Sequence, residues 1–158
     1  MAPDRRPLAL ALLALVVAAC GTSQATSNPT AVGTPAGTVA ASAAAGATID
    51  VSVAEYSVTA NAASGTAGSM TFSVTNNGAG EHQFVVIRSD EPEGDLPMTA
   101  DGSQVDEAAV EIVDRIDGVP VGQTQELSVD LPAGAYVFIC NLPEHYEGGM
   151  HLAFPVAS

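Results

Sequence analysis

The chain has 158 residues, with 18 acidic residues against four arginines and no lysine, so its formal net charge is −14. A chain of this length has room for one domain and little more. The negative charge argues against nucleic acid or an anionic membrane surface as a partner, because both would repel it. Apolar residues make up 47% of the chain, but much of this is alanine, aromatic residues are only 4% and Trp is absent. This composition predicts one modest core.

The amino terminus has the pattern of a secretory signal peptide. Arg5 and Arg6 precede twelve apolar residues at positions 8–19, a run too short to cross a bilayer, where about 20 would be needed. The run ends in residues 17–20 (VAAC), which resemble a bacterial lipobox with Cys20 as the lipid attachment site. We therefore expect residues 1–19 to be a lipoprotein signal peptide, and the protein to be extracytoplasmic and lipid-anchored to the outer face of a bacterial membrane. The alternative is an ordinary signal peptide in which Cys20 is incidental.

The next segment predicts a spacer. Residues 21–46 are mostly Ala, Thr, Ser, Gly and Pro and carry no charge. Such a segment cannot bury enough apolar area to offset the cost of ordering it. We therefore expect residues 20–46 to be the lipidated cysteine and a flexible tether, and residues 47–158 to form the folded domain.

From Ala47 onward, apolar residues alternate with polar ones, which is typical of half-buried β-strands. The alternation predicts strands over residues 49–53, 70–74, 81–88, 125–131, 136–140 and 152–156, separated by turn signals such as the NNG at 76–78. The strand at 81–88 has a continuous apolar centre, which indicates burial on both faces. Short strands over about 110 residues predict an all-β domain, an antiparallel β-sandwich.

One stretch breaks the strand pattern. Its apolar residues fall at helical spacing, with a serine placed to cap the helix and a glycine placed to end it. These residues are Val105, Ala109, Ile112 and Ile116, with Ser103 before them and Gly118 after them. We therefore expect one short helix over residues 103–117, inserted between strands.

Four residues with sulfur or imidazole side chains predict a metal site. Cys140 has no partner if Cys20 is lipidated, and a free thiol in an oxidising compartment is a liability unless something occupies it. Cys140, His145 and Met150 follow one another at intervals of five in one loop, and His82 opens the apolar strand upstream. A thiolate, two imidazoles and a weak axial thioether suit copper in both oxidation states. Zinc would prefer four strong ligands and an iron–sulfur cluster more cysteines, so the set indicates one copper ion, although each residue alone could be structural.

The sequence around these residues resembles a known family. Residues 134–140 (GAYVFIC), followed by His145 and Met150, resemble the carboxyl-terminal motif Gly-x-Tyr-x-Phe/Tyr-x-Cys of the cupredoxins, the small blue copper proteins. The similarity covers residues 47–157, and the ligand spacing resembles the longer-loop members, such as auracyanin and rusticyanin. The resemblance implies a Greek-key β-sandwich in which His82, Cys140, His145 and Met150 bind one type 1 copper ion.

Three residues beside these ligands are candidates for supporting contacts: Gln83, Asn141 and His151. Many cupredoxins have Asn or Ser directly after the first histidine, to hydrogen-bond the thiolate sulfur, and this chain has Gln83 there, which leaves the reduction potential open. His151 directly follows Met150, and neighbours in a strand point to opposite faces. We therefore expect His151 to point away from the metal, as a surface or supporting histidine; the alternative is a second metal contact or an electron exit point.

The expected function is that of a one-electron carrier between extracytoplasmic redox partners. We do not expect an enzyme, because three histidines leave none with which to build a further copper centre. The alternative is a copper chaperone or storage lipoprotein that binds and delivers copper instead of electrons. A metal-free sandwich acting as an adhesive or scaffolding module would not need the four ligand types.

Acidic residues are concentrated in one stretch, with ten of them between positions 90 and 117. Complementary charge speeds the encounter of electron carriers with their partners. We therefore expect a basic redox partner, such as a cytochrome or an oxidase domain, to dock on this stretch; the alternative is a solvated face that keeps the protein soluble. We expect a monomer that reaches the membrane through its lipid anchor and binds no nucleic acid.

Overall fold

The computed structural model describes residues 41–158; the predicted signal peptide, Cys20 and the tether as far as residue 40 lie outside the described residues. Within residues 41–158 the regular secondary structure is eleven β-strands, and no helix there could span a membrane. The strands are β1 (Ser42–Ala43), β2 (Thr48–Ala54), β3 (Ser57–Ala60), β4 (Ser64–Thr66), β5 (Gly68–Asn76), β6 (His82–Arg88), β7 (Glu111–Val119), β8 (Thr124–Leu131), β9 (Tyr136–Ile139), β10 (His151–Ala153) and β11 (Val156–Ala157). The prediction of an all-β domain is confirmed.

Two four-stranded sheets form a β-sandwich. One has the strand order β3-β2-β5-β8 and the other has the order β10-β9-β6-β7. β2 and β5 pair in parallel, whereas all other neighbours in these two sheets are antiparallel. β1 and β11 both pair in parallel with the short β4. This third, small sheet ties the first and last strands of the described chain together.

The main core lies between the two large sheets, where the buried faces of their strands meet. Phe72 of β5 packs against Phe84 of β6 and Phe138 of β9, with ring centroids 5.6 and 4.9 Å apart. Phe154 completes the group, 5.9 Å from Phe72, and all four rings are fully buried. Aromatic pairs at these separations add to the free energy gained by burial, so this group joins the two sheets.

The apolar centre of β6 is buried on both faces, as its sequence predicts. Phe84 and Val86 belong to the main core. Val85 and Ile87 belong to a second cluster, to which Leu96 contributes from the segment between β6 and β7. This segment therefore covers the outer face of the sheet and makes β6 a central, water-excluded strand.

The predicted helix over residues 103–117 is wrong. Residues 103–110 form turns and an isolated bridge, and residues 111–119 form β7, which pairs with β6. Ile112 and Ile116 are four residues apart, a spacing that satisfies the helical period and also the strand period of two. In the sheet they pair with Ile87 and Phe84. β-branched residues favour strands, and pairing with a buried central strand decides the outcome.

Four loops meet at one end of the sandwich, which we call the site end. They are residues 55–56, 77–81, 120–123 and 140–150. The buried Asn76 joins the loop of residues 77–81 to the end of β7, because its side-chain amide donates hydrogen bonds to the carbonyl oxygens of Gly80 and Val119, each across 2.7 Å. All the predicted ligands lie in these loops or at the ends of the adjoining strands.

Candidate metal centre

His82 is the first residue of β6 and is fully buried at the site end. It pairs across the sheet with Val119, the last residue of β7, so the strand ladder fixes its backbone. Burial lowers the pKa of His82, because a charged imidazole would lose its hydration; the Glu55 carboxylate opposes this effect and His145 adds to it. The imidazole is therefore held neutral, which is the form that binds a metal ion.

The loop of residues 140–150 carries the other three predicted ligands. The backbone N–H of Cys140 donates to the carbonyl of Met150 across 3.1 Å, and the N–H of Met150 donates to the carbonyl of His145 across 3.0 Å. Glu144 and Gly149 have φ angles of 68° and 110°, in the region where L residues other than glycine are uncommon. The two ends of the loop are thus hydrogen-bonded to each other, which holds the three side chains close together.

Three of the predicted ligands bring their donor atoms together. Nδ1 of His145 lies 3.4 Å from Sγ of Cys140, and Nδ1 of His82 lies 3.9 Å from the same sulfur. One donor atom from each of the three residues lies within 4.8 Å of the other two. Zinc binds nitrogen at about 2.1 Å and sulfur at about 2.3 Å. If a metal ion made bonds of these lengths to one nitrogen and to the sulfur, with a trigonal angle between the bonds, the nitrogen and the sulfur would lie about 3.8 Å apart. The three side chains therefore fit a single metal ion between them.

The surroundings of the Cys140 sulfur suit a metal-bound thiolate. The residue is fully buried, and burial raises the pKa of its thiol because the thiolate would be poorly solvated. The backbone N–H groups of Gln83 and Leu142 lower this pKa in part, and the Gln83 N–H donates to Sγ across 3.3 Å. A metal cation supplies the positive charge that a buried thiolate otherwise lacks.

Met150, the fourth predicted ligand, is fully buried next to the other three. Its backbone is hydrogen-bonded to both Cys140 and His145, and it belongs to the same core cluster as Cys140. The structure therefore brings all four residues to the site end. Three have converging donor atoms, and Met150 adds a buried thioether from the same loop.

Asn141 attaches the ligand loop to the segment between β6 and β7. Its side chain accepts a hydrogen bond from the N–H of Val105 across 2.8 Å and donates one to the Glu107 carboxylate across 2.9 Å. The side-chain amide of Gln104 donates to the backbone carbonyl of Asn141 across 2.6 Å. The segment that covers β6 therefore also supports the ligand loop.

His151 lies apart from the three converging donor atoms. Its ring packs on Tyr146, with centroids 5.3 Å apart, and Tyr146 belongs to the cluster on the outer face of the sheet. Nδ1 of His151 makes no hydrogen bond, and the nearest approach to Glu93 is 3.9 Å. With Met98 it lines a surface cavity of about 310 Å³.

Sequence reasoning missed three residues at the site, Glu55, Tyr56 and Gly78, which belong to other loops. Tyr56 has a φ of 60° and is 63% exposed. Its ring covers Gly148, where an added Cβ would lie only 2.1 Å from the tyrosine Cδ1, and its centroid is 6.4 Å from that of His145. The one signal in the sequence is that the turn between β2 and β3 has Glu and Tyr where Gly or Asn is usual.

Comparison with known proteins gives matches among solved structures. No family model matches the sequence, and no curated protein matches it. Reduced auracyanin from Roseiflexus castenholzii matches with a TM-score of 0.54 and 21% identity, over 70% of this chain and 97% of the auracyanin. Auracyanin B matches with a TM-score of 0.53 and 18% identity, over 71% of this chain and 89% of its own. Rusticyanin from Thiobacillus ferrooxidans has a TM-score of 0.49 and 20% identity, over 69% and 77% of the two chains.

The described domain therefore has the cupredoxin fold, with two facing β-sheets like those of the auracyanins. This agrees with the fold that the sequence motif implied, except for the inserted helix. At these levels of identity the likeness concerns the fold, and the chemistry of the site rests on the converging donor atoms of His82, Cys140 and His145.

Proposed function

We propose that this protein is a type 1 blue copper protein that carries one electron at a time between extracytoplasmic redox partners. The observation that carries the proposal is the convergence of His82 Nδ1, His145 Nδ1 and Cys140 Sγ on a cupredoxin fold. Met150 would add a weak thioether ligand; the resulting donor set suits copper in both oxidation states, and bound copper would supply the one-electron chemistry. The similar auracyanin from Roseiflexus castenholzii was solved in a dithionite-reduced form, which supports a redox role.

The chain's own residues hold the ligands still and keep water away, as rapid electron transfer requires. His82 is fixed by the strand ladder, and the ligand loop is closed by its own hydrogen bonds. His82, Cys140 and Met150 are each 0% exposed. His145 is only partly buried, so its ring provides the route by which an electron reaches the surface.

The visible spectrum of the purified protein after addition of Cu(II) tests this proposal. We expect an intense blue band from the copper–thiolate bond in the unmodified protein. Cys20→Ser, which retains Cys140, should keep the band, whereas Cys140→Ser should lose it. A colourless protein that binds Cu(I) tightly would indicate copper delivery instead, and absence of copper binding in both oxidation states would contradict both functions.

Copper delivery is the weaker proposal for the same residues. Delivery requires exchange of ligands with a partner, which exposed coordination permits. Three of the four ligands are fully buried. Among residues 41–158, His82, Cys140 and His145 form the only close group of three His, Cys, Asp or Glu donors, so this part of the chain offers no second such group to receive the ion.

We also propose that Cys20 anchors the protein through lipid to the outer face of a bacterial membrane. This proposal rests on the sequence pattern alone, because Cys20 lies outside the described residues. In a bacterial host supplied with labelled fatty acid, the unmodified protein should carry the label and sediment with membranes. Cys20→Ser should be unlabelled and soluble; a labelled or membrane-bound Cys20→Ser protein would contradict the assignment.

We propose further that a basic redox partner docks on the acidic stretch between positions 90 and 117. Seven of its ten acidic residues are exposed: Asp90, Glu91, Asp95, Asp101, Glu107, Glu111 and Asp117. Arg115, one of the two arginines in the described chain, is already paired with Glu107 and Asp117. The remaining negative charge would attract a basic protein over roughly a Debye length, about 8 Å at physiological ionic strength.

The rate of electron transfer to a basic cytochrome, measured against ionic strength, tests the docking. We expect the rate to fall as salt is added, because salt screens the attraction. The double variant Asp90→Asn, Glu91→Gln should be slower than the unmodified protein at low salt and equal to it at high salt. A rate that does not depend on salt would contradict docking by charge.

A further inference from the structure

Glu55 connects two loops at the site end to the imidazole of His82. It follows β2 directly, and its Oε1 atom accepts hydrogen bonds from the backbone N–H groups of Ala79 and Gly80, across 2.7 and 2.8 Å. The same oxygen lies 3.5 Å from Nε2 of His82. The carboxylate therefore fastens the loop that precedes His82 and at the same time faces the ring nitrogen that is remote from Cys140.

The two ring nitrogens of His82 have different surroundings. Nδ1 lies on the side of the Cys140 sulfur, where the other donor atoms converge, so a neutral imidazole that binds a metal there carries its proton on Nε2. Nε2 is buried and makes no hydrogen bond. Its separation from Glu55 is longer than the 2.7–3.2 Å usual for such a bond, so the carboxylate acts on this N–H through its charge.

Gly78 leaves room for this contact. A Cβ atom at position 78 would lie 2.6 Å from Nε2 of His82 and 2.7 Å from Oε2 of Glu55. Contacts under 3.0 Å are not found for real Cβ atoms. Any side chain at position 78 would therefore force the carboxylate and the imidazole out of their present positions.

The charge on Glu55 is maintained by its backbone contacts. The backbone N–H groups of Ala79 and Gly80 both donate to its Oε1 atom, and hydrogen bonds of this kind favour the ionised form of a carboxyl group. The side chain is 42% exposed, so water also solvates the charge. The two backbone contacts therefore hold a carboxylate beside the His82 ring.

We propose that Glu55 is a positioning residue that orients His82 and sets the reduction potential of the copper site. A carboxylate that faces the remote ring nitrogen of a metal-binding histidine favours the tautomer with its proton on that nitrogen and raises the basicity of the other one; at 3.5 Å, Glu55 exerts this effect through its charge. A negative charge beside the ring also stabilises the more positive Cu(II) state relative to Cu(I), and so lowers the reduction potential. The inference rests on the proposed copper function and adds to it a residue that lies outside the predicted ligand set.

The test compares Glu55→Gln with the unmodified protein and with Asp130→Asn. Gln retains an oxygen for the N–H groups of Ala79 and Gly80 but removes the charge. Asp130 is exposed near the end of β8 that is remote from the site end, so Asp130→Asn controls for the change in net charge. We expect Glu55→Gln to favour Cu(I) over Cu(II) by about tenfold, a rise of about 59 mV in reduction potential, and Asp130→Asn to change it little.

A measurement on the copper-free protein separates this inference from the proposed function. The nitrogen chemical shifts of the His82 ring should report a proton on Nε2 in the unmodified protein and should change in Glu55→Gln but not in Asp130→Asn. Equal reduction potentials in Glu55→Gln and Asp130→Asn would overturn the inference, and so would unchanged His82 shifts. Absence of a blue band in the unmodified protein would instead contradict the copper function, and the His82 shifts would still decide whether Glu55 orients the ring.

Discussion

The backbone N–H of Gln83 donates a hydrogen bond to Sγ of Cys140 across 3.3 Å, so the residue that follows one candidate ligand contacts another. The donor belongs to the backbone, and the side chain at position 83 is not needed to provide it. The Oε1 atom of that side chain is buried and makes no hydrogen bond. Many cupredoxins have Asn or Ser at the position of Gln83. The backbone N–H of this residue donates to the sulfur whichever side chain is present.

We expect Met150→Leu to raise the reduction potential of the copper site while the protein still folds. Leu replaces Met with nearly the same volume, and such exchanges in a core usually cost less than about 1.5 kcal/mol. The substitution removes a weak sulfur ligand and leaves an apolar group, which disfavours the more highly charged Cu(II). Potentiometry with urea unfolding of the copper-free protein provides the check. An unchanged potential would mean that Met150 does not act on the metal.

We expect Gly78→Ala to weaken copper binding and Gly80→Ala to leave it unchanged. An added Cβ at position 78 would lie 2.6 Å from Nε2 of His82, whereas at position 80 the nearest atom, on Glu55, would be 3.6 Å away. The Cβ added at position 78 would displace the His82 ring, whereas the Cβ added at position 80 would make an ordinary van der Waals contact with Glu55. Loss of a partner of a metal-bound histidine typically costs about 10- to 100-fold in affinity, which a Cu(II) titration would detect. Equal affinities of the two variants would show that His82 can move without consequence.

We expect Asn141→Ala to lower the free energy of unfolding of the copper-free protein by about 2–3 kcal/mol. The buried N–H of Val105 would lose its acceptor, which costs about 1–3 kcal/mol, and the bond to Glu107 would also be lost. Asn77→Ala is the matched control, because Asn77 is exposed and its side chain bonds only to the Ser52 hydroxyl. Asn77→Ala should lower the free energy of unfolding by less than about 1 kcal/mol. Similar urea midpoints for the two variants would contradict a structural role for Asn141.

The stability of the copper-free protein should decrease in acid, in part through Glu107. Hydrogen bonds from Asn141 and then from Arg115, with the charge of Arg115, hold the pKa of Glu107 below its usual value of 4.5. A folded-state pKa below the unfolded-state value means that the unfolded chain binds more protons. The stabilisation from Glu107 is therefore present above pH 4.5 and is lost as the pH falls through the lower, folded-state pKa.

Thermal unfolding of Glu107→Gln at several pH values measures this contribution. Gln still accepts the hydrogen bond from Asn141 but does not titrate. We expect the melting temperature of the variant to fall less steeply than that of the unmodified protein between about pH 5 and about pH 3. Glu126→Gln, at an exposed position of β8, should keep the slope of the unmodified protein. If Glu107→Gln keeps that slope as well, Glu107 does not contribute to acid unfolding.

The four candidate ligands can be recognised in the sequence because they are encoded locally. Cys140, His145 and Met150 lie in one loop, and His82 is marked by the apolar strand that it opens. For strands with clear alternation, the predicted ends lie within one residue of the observed ends in β2 and within two in β5. In these cases the same residues that define the local pattern also make the buried contacts.

Other features depend on contacts between distant parts of the chain. The spacing of Ile112 and Ile116 permits both a helix and a strand, and only pairing with β6 selects the strand. Glu55 meets His82, 27 positions later, because β2 and β5 run in parallel and end side by side. No pattern around Glu55 indicates that arrangement, so the sequence alone left its role unseen.

The small sheet of β1, β4 and β11 shows at which end of the domain the described chain begins. β1 lies beside β4, and Gly46 donates a hydrogen bond to Ser69 at the start of β5, so the described chain enters the domain at the end remote from the ligands. β2 then runs toward the site end for seven residues, about 23 Å at 3.3 Å per residue. Residue 41 and the partly exposed edge of His145 therefore lie at opposite ends of the domain. A protein that contacts the His145 edge can do so without touching the end where the described chain begins.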